Sequence, residues 1–67
     1  MKLSTRNQLK ATVKAVQKDG VMAKVSLDVA GQPMTAIITA DAAEDLDLKP
    51  GDAVAALIKA TSVSIMK

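Results

Sequence analysis

The run Ser4-Thr5-Arg6-Asn7-Gln8 sets five hydrogen-bond donors side by side near the start of a chain that has no histidine, cysteine or aromatic residue. Towards the other end, Lys59, Thr61, Ser62 and Ser64 form a second donor-rich stretch, with small Ala60 inside it. Neither stretch holds a carboxylate. Hydroxyls, an amide NH₂, a guanidinium, an ammonium and backbone N–H groups are what a tetrahedral oxyanion needs, because its oxygens only accept hydrogen bonds. Withdrawing a dianion from water is costly unless charge and donors replace its hydration shell. Each charge-assisted hydrogen bond returns roughly 1.5–3 kcal/mol net, so a handful of them is enough for micromolar binding. Phosphate near neutral pH retains a proton and wants an acceptor as well. A pocket built of donors alone therefore favours a fully deprotonated dianion: sulfate, molybdate or tungstate, with size separating sulfate from the larger two. A polar arm, or an edge strand with outward polar residues, would use the same residue types with nothing bound.

Charge placement points the same way. All seven acids (Asp19, Asp28, Asp41, Glu44, Asp45, Asp47, Asp52) lie between residues 19 and 52, where Lys24 and Lys49 leave a local charge of −5. The ends hold Lys2, Arg6, Lys10, Lys14, Lys18, Lys59 and Lys67, a charge of +7, which makes up the net +2. Brought together, the two ends form an acid-free, electropositive region suited to a small anion. A solvated basic face would account for the lysines alone.

Positioning these stretches is the task of short strands. The basic residues at 2, 6, 10, 14 and 18 suggest a helical stripe, but Leu9, Ala11, Val13 and Ala15 alternate with Lys10, Thr12 and Lys14, a period of two. Thr12, Val13 and Val16 favour strand as well. Asp19-Gly20 signals a hairpin. Beyond it Val21, Ala23, Val25, Leu27 and Val29 share one face and Met22, Lys24, Ser26 and Asp28 the other, until Ala30–Pro33 turn the chain. Residues 34–39 read as a third strand. Asp41 is expected to cap a short helix, with Glu44 closing a capping box and Ala43 and Leu46 packing inward. Lys49-Pro50-Gly51-Asp52 has the residues of a type II turn. Residues 53–60 and 61–66 follow as a fourth and fifth strand, or as one bent strand. The expected fold is all-β: a small five-stranded, OB-like Greek-key barrel, with one short helix between strands 3 and 4. Residues 1–67 are expected to form a single domain.

Composition bounds the function. A domain this small buries only about 60% of its unfolded surface, and neither disulfides nor a metal is available to it, because there is no Cys, no His and no clustered carboxylate set with metal spacing. Yet the chain is 49% apolar. Subunit contacts that complete the core are the simplest resolution. The opening residues lack the apolar region of a secretory signal. No apolar run approaches the roughly 20 residues that cross a bilayer, so a cytoplasmic location is expected, with no membrane partner. No nucleophile–base constellation suggests an enzyme.

These residues resemble a known family. "STRNQLKATV" is similar to the S-A-R-N-Q-L-x-G-x-V opening of molybdate-binding Mop domains, and "IKATSVSI" to their I-K-A-S/T-S-V ending. Between them "DGVMAKVSLDVAG" and "ITADAAEDLDLKPGDAVAALIKA" resemble the family's middle in order and spacing, so the likeness covers essentially the whole chain. Stand-alone domains of this kind are the molbindins. The resemblance implies an OB-like barrel and a homohexamer built as a trimer of dimers. It also implies molybdate or tungstate held between subunits by hydrogen bonds without direct metal ligation, no organic cofactor, and storage or buffering in the cytoplasm. It assigns charge to Arg6 and Lys59, hydroxyls to Ser4 and Ser62, an amide to Asn7, and mainly backbone N–H to Thr5 and Ala60. The family has a second kind of site near its subunit axes, which would fall at Gly20, Val21 and Met22. Thr5 stands where Ala is usual, Ala11 where Gly is common and Met22 where Asn is frequent.

Three other classes compete. "LDLKPGDAV" resembles the L-G-L-K-x-G-D-x-V of swapped-hairpin DNA-binding modules of the AbrB type. The preceding "DAAEDLD" is acidic throughout and would repel phosphates, and the chain runs on past the strand where that type usually stops. An OB-fold nucleic-acid binder would need aromatic platforms that are missing, so no nucleic-acid partner is expected. A purely structural oligomerisation module is the remaining alternative.

Overall fold

The computed structural model describes residues 6–67, Arg6 by its backbone. The elements are β1 (Arg6–Asp19), β2 (Met22–Val29), β3 (Gln32–Thr39), α1 (Ala40–Asp45) and β4 (Ala53–Lys59), then a single 3-10 turn at Ala60–Ser62. The strands make one antiparallel sheet in the order β3-β2-β1-β4. Three hairpin-linked strands with a fourth returning beside the first is a Greek key, and the helix lies between the third and fourth strands as expected. The expected fifth strand is not formed. The ladder of β4 with β1 ends at the pair Lys59–Arg6, the 3-10 turn then swings the chain off the sheet, and residues 63–67 join no strand among the described residues. What results is a curled half-barrel with β3 and β4 as its two open edges.

β1 is long because it serves two neighbours in succession. Its first half, Arg6–Thr12, pairs with β4, and its second half, Thr12–Asp19, pairs with β2. A bulge between Val13 and Ala15 marks the change. Such an insertion bends the strand and shifts its phase by one residue. The period of two therefore does not run through: Leu9, Ala11 and Val13 face inward, but Ala15 moves to the outer row opposite Ser26 and Val16 takes over inside opposite Val25. The connector before β4 clamps the bend, with the Val13 N–H donating to the Asp52 carbonyl (2.9 Å) and the Gly51 N–H donating to the Val13 carbonyl (2.8 Å).

Both hairpins close with two residues. Between β1 and β2 these are Gly20 and Val21, because Asp19 is itself paired with Met22. Gly20 has φ +64, the requirement of a II′ first position. Val21, expected on the inner face, instead lies in this turn and is 78% exposed. Between β2 and β3 the loop is Ala30-Gly31, with φ +51 and +88, the I′ pattern. Gln32 and Pro33, expected in the turn, already belong to β3. Pro33 is tolerated because β3 is an edge.

The cap of α1 is Thr39, whose Oγ1 accepts from the Ala42 N–H at 3.0 Å, and not Asp41. Asp41 sits a residue inside the helix, where its charge suits the helix dipole. Glu44 does not reach back to a cap; its Oε2 accepts from Lys18 Nζ at 3.1 Å and ties the helix to β1. The helix ends with the Leu48 N–H bonded to the Ala43 carbonyl and the Asp47 N–H to that of Glu44, a Schellman arrangement with Asp47 at φ +51. Ala43 packs inward as expected, whereas Leu46 is 65% exposed and half-buried Leu48 takes its place. The turn at 49–52 has Gly51 at φ +96 and the Asp52 N–H on the Lys49 carbonyl, as a type II turn requires.

Ala11, Val13, Val25 and Leu27 form the buried centre, with Ala23 and Ala43 beside it. Met34, Ala36 and Ile38 of β3 and Val54 and Ala56 of β4 pack against this centre but stay only half-buried, because they line the open side of the half-barrel.

Candidate oxyanion-binding site

The donor-rich ends of the sequence meet. Arg6 is the direct antiparallel partner of Lys59, and Asn7 that of Ile58. Roughly 50 residues of chain separate them, and the Greek-key return of β4 along β1 removes that separation. Ser4 and Thr5 lie outside the described residues. Nothing acidic stands on this part of the sheet: the paired segments 6–12 and 53–59 contain no Asp or Glu, nor do residues 60–67.

The ends meet on a projecting ribbon. The β1 residues before Thr12 pair with β4 alone, so for about 20 Å the structure is a two-stranded ribbon. Two strands with both outer edges open are marginal on their own. Asn7, Lys59, Ala60, Thr61 and Ser62 are all exposed here. Ala60 opens the 3-10 turn, and no side chain caps it; the turn closes with the Val63 N–H on the Ala60 carbonyl at 3.2 Å. The N–H groups at the start of this turn thus stand beside Lys59 without a capping acceptor.

The sheet also divides the donors. Side chains alternate along a strand, so Lys59 shares the outer face with Leu57 and its partner Gln8. Asn7 is on the inner face beside half-buried Ile58. A single ribbon thus offers Lys59 and Asn7 to opposite sides. Gln8 is the donor that the motif comparison left unassigned, and the signal that finds it is pairing parity. The Gly20-Val21-Met22 segment lies at the far end of β1. There the Val21 carbonyl accepts the Ala40 N–H at 2.8 Å, and Met22 pairs with Asp19 and Thr39. The fold does not bring it to the ribbon tip, and the residues paired with Met22 that carry polar side chains are Asp19 and Thr39. Among the described residues no group of His, Cys, Asp and Glu could hold a metal ion.

Comparison with known proteins agrees with this architecture. The family model described as the TOBE domain matches residues 3–65. The chain is 48% identical over 67 residues to molybdenum-pterin-binding protein 3 of Clostridium pasteurianum, covering 98% of each. Its structure is similar to that of a molybdate binding protein from Sporomusa ovata, with a TM-score of 0.92, 52% identity and 100% of each chain covered. It is also similar to the cytoplasmic molybdate-binding protein ModG in a molybdate-bound form, with a TM-score of 0.80 and 41% identity over 90% of this chain and 43% of that one.

Proposed function

The chain belongs to the TOBE-domain family, matched over residues 3–65, and from that premise we propose that it binds molybdate, and tungstate with it, as a store or buffer in the cytoplasm. The observation that carries this reading is the pairing of Arg6 with Lys59 on a stretch of sheet free of acids. Residues 1–67 form one such domain. Arg6 and Lys59 supply charge, Ser4 and Ser62 hydroxyls, Asn7 its amide, and Thr5 and Ala60 backbone N–H groups. The anion is held by hydrogen bonds alone, so its oxygens keep their metal and the protein needs no thiolate or imidazole.

The site lies between subunits of a homo-oligomer, a hexamer assembled as a trimer of dimers. The division of donors supports this. Lys59 of one ribbon and Asn7 of another can converge on one anion, whereas those of the same ribbon face apart. A closed barrel follows if other copies cover the open edges β3 and β4. Several relatives are named molybdenum-pterin-binding proteins. The bare oxyanion is favoured because no aromatic side chain is available to stack on a pterin ring. The segment 20–22 is the weaker second site, since the Met22 side chain brings no hydrogen-bond donor.

Titration of the purified protein with molybdate, tungstate, sulfate, phosphate and a short DNA duplex, with native mass measured alongside, tests the proposal. Micromolar or tighter uptake of molybdate and tungstate by a hexamer, with sulfate weaker and phosphate and DNA ignored, is the expected result. A dimer that binds DNA and no oxyanion would replace it with the AbrB-type reading, and an assembly that binds nothing would leave a structural module.

A further inference from the structure

The ribbon that carries the donors leaves the rest of the sheet at one place. β1 pairs with both neighbours only at Thr12, opposite Asp28 of β2 and Ala53 of β4. One residue further on, at Val13, the strand bends into its bulge. Of β4, Val54 and Ala56 reach the buried centre, so apolar contact steadies the base of the ribbon. The direction of its outer part is left to the bend. From there to the pair Arg6–Lys59 the ribbon is a lever about 20 Å long. A tilt of about 10° at its base moves the tip by about 3.5 Å, whereas a hydrogen bond tolerates a spread of only about 0.5 Å in its length.

The bend is clamped from outside the strand, by the turn at 49–52. The Gly51 N–H and the Asp52 carbonyl bond the two backbone groups of Val13 at 2.8 and 2.9 Å. The turn that presents them is tied twice. The Asp52 N–H donates to the Lys49 carbonyl at 3.1 Å, and Oδ2 of the Asp52 carboxylate accepts the Lys49 N–H at 2.9 Å. Asp side chains hold turns by such local bonds to the backbone. Asp52 is half-buried and, among the described residues, joins neither ion pair. Its carboxylate thus serves the turn, and by way of Gly51 and Val13 it serves the bend.

We propose that Asp52 is a positioning residue for the anion site. Its carboxylate fixes, through the 49–52 turn, the angle at which the ribbon leaves the sheet, and so where Lys59 and Asn7 stand. No contact with the anion is involved, since Asp52 precedes β4 and Lys59 ends it. The role has a sign that charge alone cannot produce. Removing a carboxylate makes the protein more positive and by electrostatics alone favours an anion. Removing the tie loosens the tip and disfavours it. The effect on the anion rests on the molybdate reading above, whereas the effect on the ribbon's angle does not.

Asp52→Ala and Asp52→Asn are compared in the full-length protein, with Val25→Ala as a control that loosens the core without touching the clamp. Asparagine keeps an oxygen for the Lys49 N–H and loses the charge. Asp52→Ala is expected to raise the molybdate Kd about tenfold or more, the equivalent of one charge-assisted bond misplaced. The change should lie in the dissociation rate, with as many sites filled at saturation as in wild type. Asp52→Asn and Val25→Ala should bind as wild type does. Asp52→Glu keeps the charge and moves the acceptor by one methylene, so it should weaken binding in the same direction even if Asp52→Ala fails to fold. Without ligand, the Val13 and Gly51 amides should exchange faster in Asp52→Ala and Asp52→Glu, and the dipolar couplings of residues 7–12 should turn relative to those of β2 and β3. Unchanged or tighter binding in Asp52→Ala and Asp52→Glu, or equal weakening in Asp52→Asn or Val25→Ala, would overturn the proposal, because charge or stability would then be the cause. So would ribbon couplings that do not move. A wild-type protein that takes up no molybdate sinks the functional reading alone, and the ribbon couplings then decide whether Asp52 sets the angle.

Discussion

Lys59 is the described side chain on which the anion reading depends most. It is exposed, and among the described residues it takes part in neither of the ion pairs, Lys18–Glu44 and Lys49–Asp47. Its charge is therefore available to a ligand, and its removal leaves no buried partner unsatisfied. Lys59→Ala should raise the molybdate Kd by roughly 10- to 100-fold, the equivalent of one lost charge-assisted bond, with the denaturant midpoint of the ligand-free protein unchanged. Arg6→Ala should behave alike. Calorimetric titration beside a urea melt checks both, and unaltered affinity in the two variants would move the site elsewhere. Val13 sets the opposite standard. At 1% exposure it is the largest fully buried side chain, and its backbone holds the bend of β1 on both sides. Val13→Ala should destabilise by about 2 kcal/mol in the same melt.

At the scale of elements, the turns contain correctable strain. Ala30 has φ +51 in a I′ loop, where a Cβ is disfavoured and Asn or Gly is preferred. Ala30→Gly should therefore stabilise the protein by roughly 0.5–1 kcal/mol, against the usual sense of such a change. Gly31→Ala should destabilise; a Cβ there meets nothing within 4 Å, so the loss is conformational alone. The helix start gives a second contrast. Thr39→Ala removes the observed cap and should cost about 1 kcal/mol, while Asp41→Ala should cost well under half of that. Equal losses would restore Asp41 as the cap.

These cases show what was legible in the residues. Hairpins, the type II turn and the strand period are local chemistry, and Gly20, Gly31, Pro50 and Gly51 announce them. The bulge after Val13 was not legible, because it answers to the return of the Asp52 connector, a contact between distant segments. The choice of Thr39 over Asp41 as cap was one of register: β3 runs to Thr39 because that residue still pairs with Met22. The meeting of Arg6 and Lys59 followed from the Greek-key order, but the assignment of Asn7 and Gln8 to opposite faces needed the pairing register.

For the whole molecule the deciding quantity is how little a single chain buries. Among the described residues Ala11, Val13, Ala23, Val25, Leu27 and Ala43 are the buried apolar ones, and none is aromatic. Ile37, Leu46, Leu57, Val63, Ile65 and Met66 remain at least half exposed. Larger side chains thus lie outside than inside, the reverse of what a stable monomer needs. Folding coupled to association makes stability depend on chain concentration. The urea midpoint should therefore rise as total protein is increased. Molybdate adds a separable increment. A ligand at about 100 times its Kd stabilises by about 2.7 kcal/mol per site. In Lys59→Ala at the same ligand concentration that increment should shrink sharply, while the dependence on protein concentration persists. The two responses come from different parts of the structure, the exposed apolar side chains and the basic ribbon tip. A midpoint indifferent to protein concentration would mean that a single chain is self-sufficient, and the open edges would then need another explanation than a neighbouring copy.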